Sequence, residues 1–181
     1  MNDLMIDIET LGSGPRSCIA TLGAARFDID TGNVLETFYR RIDIDDAMRY
    51  NVEMDAPTVL WWMEQSDEAR EELLDEDRVS LADAVHDFEQ FYTINDRLWA
   101  KSPQFDLVIL KHSIRAVGGS VYWHFVNERD VRTLAGLFPD VAGLVAEPDV
   151  KHHALQDCYY QAAVVSTIHQ HIKKAGLLSP A

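Results

Sequence analysis

The chain is short of positive charge. Lysine and arginine total 16 against 30 aspartates and glutamates, a formal charge of −14 with histidine neutral. Gripping long stretches of nucleic acid through phosphate contacts needs a basic face, and this composition argues against one. It leaves room for action on a strand end, where divalent cations supply the positive charge. Cysteine is scarce too: Cys18 and Cys158 match neither a metal-ligand spacing nor a disulfide framework, so free thiols are expected. No apolar run is long enough to cross a bilayer and no basic-then-apolar leader is recognisable, so no membrane and a cytoplasmic location are expected. Linkers, low-complexity tracts and internal repeats are also missing, and residues 1–181 read as a single domain.

What is present is a run of strands followed by helices mixed with strands. "LMIDIET" (Leu4–Thr10), "CIATLGAARFDI" (Cys18–Ile29), a "TGN" turn and "VLETFYRRI" (Val34–Ile42) read as a three-stranded antiparallel meander. "APTVLWWMEQ" (Ala56–Gln65) reads as a helix with Pro57 at its start. The acid-rich stretch Glu64–Arg78 reads as a solvated helix end and loop. In "SLADAVHDFEQFYT" (Ser80–Thr93), Ser80 and Asp83 resemble a capping box, and Leu81, Ala84, Val85, Phe88 and Phe91 recur at helical spacing. "RLWA" (Arg97–Ala100) is a short strand. The next helix is expected to take Ser102 as cap and Pro103 as its first residue, and to stop at Gly118–Gly119. "YWHFVNERDV" reads as a strand with a loop, and the last long helix runs from about His153 to Lys174.

Acids stand in three of these elements. Strand side chains alternate faces, so Asp7 and Glu9 point one way while Ile6 and Ile8 point the other. On an edge strand the pair would simply lie on a wet face; on a central strand it suggests a hard cation such as magnesium or manganese. Asp106, in "QFDLVIL", falls in a first helical turn, where the macrodipole alone accounts for an acid. Asp157 heads a helical stripe continued by Gln161, Val164, Val165 and Ile168, which should pack on the sheet. His152 lies five residues before it, about 140° round an ideal helix, so one helical face cannot present both. His152 therefore belongs to the entering loop, with His153 pointing elsewhere.

Taken together, these motifs resemble the DEDD 3′→5′ exonucleases, in the subclass with a catalytic histidine (DEDDh). "DIET" supplies Asp7 and Glu9, "FD" supplies Asp106, and "HHALQD" matches a His-x-Ala-x-x-Asp pattern through His152, Ala154 and Asp157. "TVLWWMEQSDEAR", "FDLVIL" and "DVRTL" further resemble small phage and prophage exonucleases related to exonuclease VIII, and bacterial exoribonucleases of similar size. The resemblance implies an α/β, ribonuclease H-like fold: a mixed five-stranded sheet, three strands antiparallel and two parallel, with helices on both faces. It implies that Asp7, Glu9, Asp106 and Asp157 hold two divalent cations, Mg2+ or Mn2+, and that His152 is the general base in releasing 5′-mononucleotides. In that scheme Asp7 bridges both cations, Glu9 and Asp157 support the one beside the nucleophile, and Asp106 serves the other.

The implied partners are single-stranded DNA or RNA 3′ ends; a homodimer is left open. Substrate contacts are expected at Thr10, Leu11, Gly12 and Phe105, near the first two motifs. One ring of the Trp61–Trp62 pair should lie in the core and the other is available for base stacking, with Trp62 placed among the substrate contacts. Arg132 is open between phosphate and a pair with Asp130. A binding module that has lost catalysis would miss an acid or the histidine, and none is missing here. A ribonuclease H-type endonuclease would not call for the His-x-Ala-x-x-Asp arrangement. No motif reports on the sugar 2′ position; the phage-like segments favour DNA, with an exoribonuclease as the alternative.

Overall fold

A computed structural model describes residues 2–148 and 151–177; the ends of the expected domain, residues 1 and 178–181, lie outside the described residues. Five strands form one sheet in the order β3-β2-β1-β4-β5. β1 (Asp3–Thr10), β2 (Ile19–Phe27) and β3 (Val34–Arg41) make the expected antiparallel meander. β4 (Arg97–Ala100) and β5 (Glu128–Asp130) extend the sheet in parallel on the other side of β1. The helices are α1 (Ile44–Ala47), α2 (Ala56–Met63), α3 (Asp67–Leu74), α4 (Leu81–Phe91), α5 (Asp106–Ala116), α6 (Val131–Leu137), α7 (Pro139–Ala142) and α8 (Ala154–Lys174). Among the described residues no helix is long and apolar enough to cross a membrane.

β1 is the central strand and is covered on both faces. Its even residues Leu4, Ile6 and Ile8 pack with Leu81, Val85 and Phe88 of α4 and with Leu107, Leu110 and Ile114 of α5. Its odd residue Met5 packs on the opposite face with Cys158, Val165 and Ile168 of α8 and Val131 of α6. Helices therefore flank both sides, as expected, and the period-two alternation divides two apolar cores along a single strand. Asp7 and Glu9 continue the α8-facing side. Asp7 is 9% exposed, so the wet edge-strand reading of the pair is overturned: β1 has a neighbour on each side and a helix above.

Two local expectations need correction. Ser102 does not cap an α-helix, and Pro103 is not its first residue: the helix starts at Asp106, and the Ser102 carbonyl accepts from Phe105 and Asp106 N–H in a preceding turn. The Asp106 carboxylate instead reaches back to the Ser102 N–H at 3.4 Å. The acid-rich stretch contains a helix of its own, α3, whose N-cap Ser66 accepts from Ala69 N–H. Its Glu72 turns inward and takes the Arg41 guanidinium in two bonds of 3.0 and 2.9 Å and the Tyr39 hydroxyl at 2.5 Å. An acid in a charge run is thus committed to the sheet edge rather than to water. The stretch after Trp123 forms a loop with one 3-10 turn, Phe125–Asn127, and the three-residue strand β5, as the expected strand with a loop, and the short helices α6 and α7 follow it.

α8 crosses the sheet in direct backbone contact. A Cβ at Gly23, which pairs with Asp7 across the β1–β2 ladder, would stand 2.6 Å from the Ala154 carbonyl carbon and 2.7 Å from Leu155 N. The missing side chain is what allows the first turn of α8 to settle over the acid pair. Gly23→Ala must push α8 outward, since backbone atoms are the obstacle. We expect a loss of about 1–3 kcal/mol in urea unfolding, as for other overpacked sites. An unfolding midpoint equal to that of the parent protein would contradict this contact.

Candidate active site

Three elements converge at the carboxyl end of β1. Strand alternation puts Asp7 and Glu9 on the α8 side, and Asp157 enters from the first turn of α8. One carboxylate oxygen from each of the three lies within 4.8 Å of the others. Asp106, the first residue of α5, stands beside them, with Oδ1 accepting from Ile8 N–H at 3.4 Å. All four border one cleft of about 470 Å³, shared with His152, Phe105, Lys101, Arg132, Tyr160 and Gln161.

The electrostatics of this cluster are unfavourable for bare carboxylates. Burial pushes the Asp7 carboxyl well above its ordinary range, and the charges of Asp106 and Asp157 push it further. Glu9 is raised by burial and then by Asp7, Asp157 and Asp106. Burial raises Asp106 to about 7 despite its backbone hydrogen bonds, and raises Asp157 as well. Lys101 opposes the shift at Asp7, Glu9 and Asp157 as a lesser influence. Clustered hard oxygen donors in a half-dry cleft are what magnesium or manganese coordinates, and cation charge removes the repulsion. The donor set therefore fits divalent cations.

The two adjacent histidines separate cleanly. His152 has left-handed backbone, φ +64°, its N–H donates to Asp157 Oδ2 at 3.2 Å, and its ring borders the cleft. The imidazole meets Trp61 and Trp62 edge-on, with centroids at 4.8 and 5.9 Å. Burial lowers its pKa, with the Asp157 charge acting in the other direction. His153 turns away from the cleft. It stacks on Tyr39 at 4.9 Å and places Nε2 3.4 Å from Glu72 Oε1. The register inferred from spacing matches this arrangement.

The expected substrate contacts divide. Phe105 borders the cleft, whereas Thr10, Leu11, Gly12 and Trp62 are not among its lining residues. Thr10 is buried and spends its hydroxyl on the Gly12 carbonyl at 2.7 Å. Gly12 sits so close to Ser17 that a Cβ would lie 2.8 Å from its Oγ. The Trp62 placement needs correction: the ring is 4% exposed and its Nε1 donates to the Thr10 carbonyl at 2.8 Å, so it braces the strand end. Trp61, 40% exposed, is the partner with a ring open to solvent. The Arg132 guanidinium does not pair with Asp130, whose carboxylate accepts from the Arg132 backbone N–H and the Thr133 hydroxyl at the start of α6; the Arg132 Nε donates to the Lys101 carbonyl at 3.4 Å.

Gln161 was missed as a site residue. The sequence shows it only as part of a packing stripe, yet its Nε2 donates to Asp7 Oδ1 at 2.7 Å. The available signal was its place four residues after Asp157, on the same helical face.

Comparison with known proteins agrees with this geometry. Residues 2–169 match the family described as the 3'-5' exoribonuclease Rv2179c-like domain. A curated relative, the exodeoxyribonuclease of Enterobacteria phage T4, is 28% identical, with 74% of this chain and 70% of the relative covered. Among solved structures, E. coli exonuclease I in complex with a dA16 oligonucleotide superposes with a TM-score of 0.70 at 18% identity, covering 96% of this chain and 42% of that one. Exonuclease I from Methylocaldum szegediense gives a TM-score of 0.66 at 16% identity, covering 96% and 41%. The chain thus spans about two fifths of the length of these exonuclease I chains. The nuclease domain of 3'hExo, a DEDDh family member bound to rAMP, gives 0.62 at 12% identity, covering 98% and 94%. The fold is ribonuclease H-like.

The strained carboxylates have a thermodynamic consequence. Carboxyl groups ordinarily titrate near 4, and here the folded-state values lie higher, Asp106 at about 7. The folded protein therefore binds more protons than the unfolded chain across this interval, and stability falls as pH rises through it. His152, with a lowered folded pKa, works against the trend, as do the lowered carboxyls of Asp30, Asp55, Glu68, Glu72 and Glu147, but those five are already ionised in both states above about pH 5. In chelator the melting temperature should be higher near pH 5 than near pH 8. Added Mg2+ or Mn2+ should raise it most at the higher pH. Asp7→Asn should melt higher than the parent in chelator at pH 8. Equal melting of parent and variant there, by calorimetry, would rule out the repulsion.

Proposed function

The chain belongs to the 3'-5' exoribonuclease Rv2179c-like domain family, and from that membership we propose that it acts as a single exonuclease domain that removes nucleotides one at a time from the 3′ end of single-stranded nucleic acid, DNA by preference. The observation that carries the reading is the meeting of Asp7, Glu9 and Asp157 within 4.8 Å in a cleft that Asp106 and His152 also border. The preference for DNA is supported by the exodeoxyribonuclease relative and by the oligodeoxynucleotide bound to the exonuclease I neighbour. The family description and the rAMP bound to 3'hExo favour the alternative, RNA.

Asp7, Glu9, Asp106 and Asp157 would hold two divalent cations, magnesium or manganese, which would supply positive charge to the phosphodiester during hydrolysis. His152 takes a proton from the water that attacks the terminal phosphorus. The bond from phosphorus to the 3′ oxygen breaks and that oxygen takes a proton from solvent, releasing a nucleoside 5′-monophosphate and leaving a new 3′ hydroxyl, while His152 returns its proton to solvent. An imidazole with a lowered pKa is neutral at pH 7 and able to accept that proton. Its backbone bond to Asp157 and edge contacts with Trp61 and Trp62 hold the ring over the acid cluster. Phe105 offers an apolar surface beside the cations for the terminal base, and Lys101 and Arg132 bring the positive charge that a phosphate on the same strand needs.

Matched DNA and RNA oligonucleotides labelled at either end test direction and sugar preference. Loss of the 3′ label as mononucleotide, abolished by chelator, is the expected result; cleavage of a circular single strand would point to an endonuclease. His152→Ala should lower turnover roughly 10²–10⁴-fold with cation binding nearly intact. His153→Ala should cost far less in turnover, because that ring lies against Tyr39 and Glu72 rather than in the cleft. A greater loss in the His153 variant at saturating cation would reverse the assignment.

A further inference from the structure

Gln161 is almost entirely enclosed, 1% exposed, and lies on α8 one turn beyond Asp157. Its amide is oriented by its neighbour. Nε2 donates to Asp7 Oδ1 at 2.7 Å; with Asp7 ionised, as cation ligation requires, the reversed amide would set two oxygens against each other, so Oε1 is the atom on the other side. That Oε1 is buried and has no hydrogen-bond partner among the described residues. Leaving such an acceptor unsatisfied costs about 1–3 kcal/mol, a cost readily avoided by an apolar residue in a helix stripe that is otherwise Val164, Val165 and Ile168. The side chain lines the same cleft as the four carboxylates. The helix keeps this amide despite its unpaired end, and the one bond it makes is to an acid of the cleft.

We propose that Gln161 is a positioning residue for cation binding: its Nε2 sets the rotation of the Asp7 carboxylate, which would ligate the cation. The inference rests on the cation-dependent reading of the site given above, and it deepens that reading by adding a residue that touches no cation itself. A carboxylate without this tether can rotate away from Glu9 and Asp157, and a cation then loses a preset ligand. Partners of this kind govern affinity as strongly as some ligands do.

The test is calorimetric titration of Mn2+ into Gln161→Leu and Gln161→Met, without nucleic acid, beside the parent protein. Both variants should bind Mn2+ 10–100-fold more weakly. With a labelled DNA oligonucleotide at fixed Mn2+ below saturation, kcat should fall while KM stays within twofold, and raised Mn2+ should recover part of the loss. A purely structural role would lower the melting temperature in chelator without moving Mn2+ affinity, and that result overturns the inference. If the leucine variant does not fold, the more flexible methionine carries the same comparison. Parent protein that binds no Mn2+ would sink the proposed function itself, whereas parent-like binding by a folded variant sinks only the role of Gln161.

Discussion

Four carboxylates crowd the end of a strand that is buried on both faces, and their mutual repulsion is the constraint around which the molecule is arranged. Burial and neighbouring charge both raise the pKa of Asp7, so neither solvent nor a protein base relieves the cluster in full. Replacing even part of it with apolar side chains would lower the energy of the empty fold. The arrangement is sensible only when a cation is present for part of the working cycle. Features around the acids follow from the same demand. Gly23 has no side chain so that α8 can bring Asp157 down, and Trp62 braces the Thr10 carbonyl just past the acid pair.

The single strand β1 reconciles this demand with folding. Alternation gives Leu4, Ile6 and Ile8 to the core under α4 and α5, and the odd positions to α8. The amino-terminal half of that odd face is neutralised or apolar. Asp3 meets the Arg97 guanidinium and Trp99 Nε1, and Met5 packs on Cys158 and Val165. The cost of Asp7 and Glu9 is thereby confined to the carboxyl end, where the cleft opens. A buried ion pair at one end and an uncompensated acid pair at the other sit four residues apart on the same face. The strand can be both the hydrophobic spine of the fold and the platform of the site.

Much of this was legible in the sequence because periodicity and spacing carry it. The alternation in "LMIDIET", the stripe after Asp157 and the five-residue gap to His152 each constrain a direction in space, and directions are what a site is made of. Side-chain choices made by tertiary contact were not legible. Glu72 sits in an acidic run that reads as solvated, yet Arg41 and Tyr39 across the chain draw it inward. Trp61 and Trp62 are equivalent as letters; only the position of the Thr10 carbonyl decides which indole is buried. Ser102 and Pro103 look like a helix start, but Asp106 takes the Ser102 N–H itself and displaces the helix by one turn. Gln161 read as part of a packing face because its partner, Asp7, is 154 positions away in sequence.

The deficit of positive charge also finds its place in this picture. A −14 chain repels polyanions at long range, so affinity for a strand has to be generated locally, inside about a Debye length of ~8–10 Å. Cationic side chains stand in the cleft beside the acids. Lys101 and Arg132 line it, and among the described residues neither forms an ion pair, while Lys151 at the same rim is occupied by Glu147. Cations at the acids would turn this carboxylate cluster into an attractive point for a phosphate. Under the proposed function, attraction is therefore greatest at one terminal linkage and falls off along the strand. That profile suits an enzyme that takes hold of an end and releases it, and it gives the acidic surface a use: it keeps the chain from being held along the length of nucleic acid it does not cut.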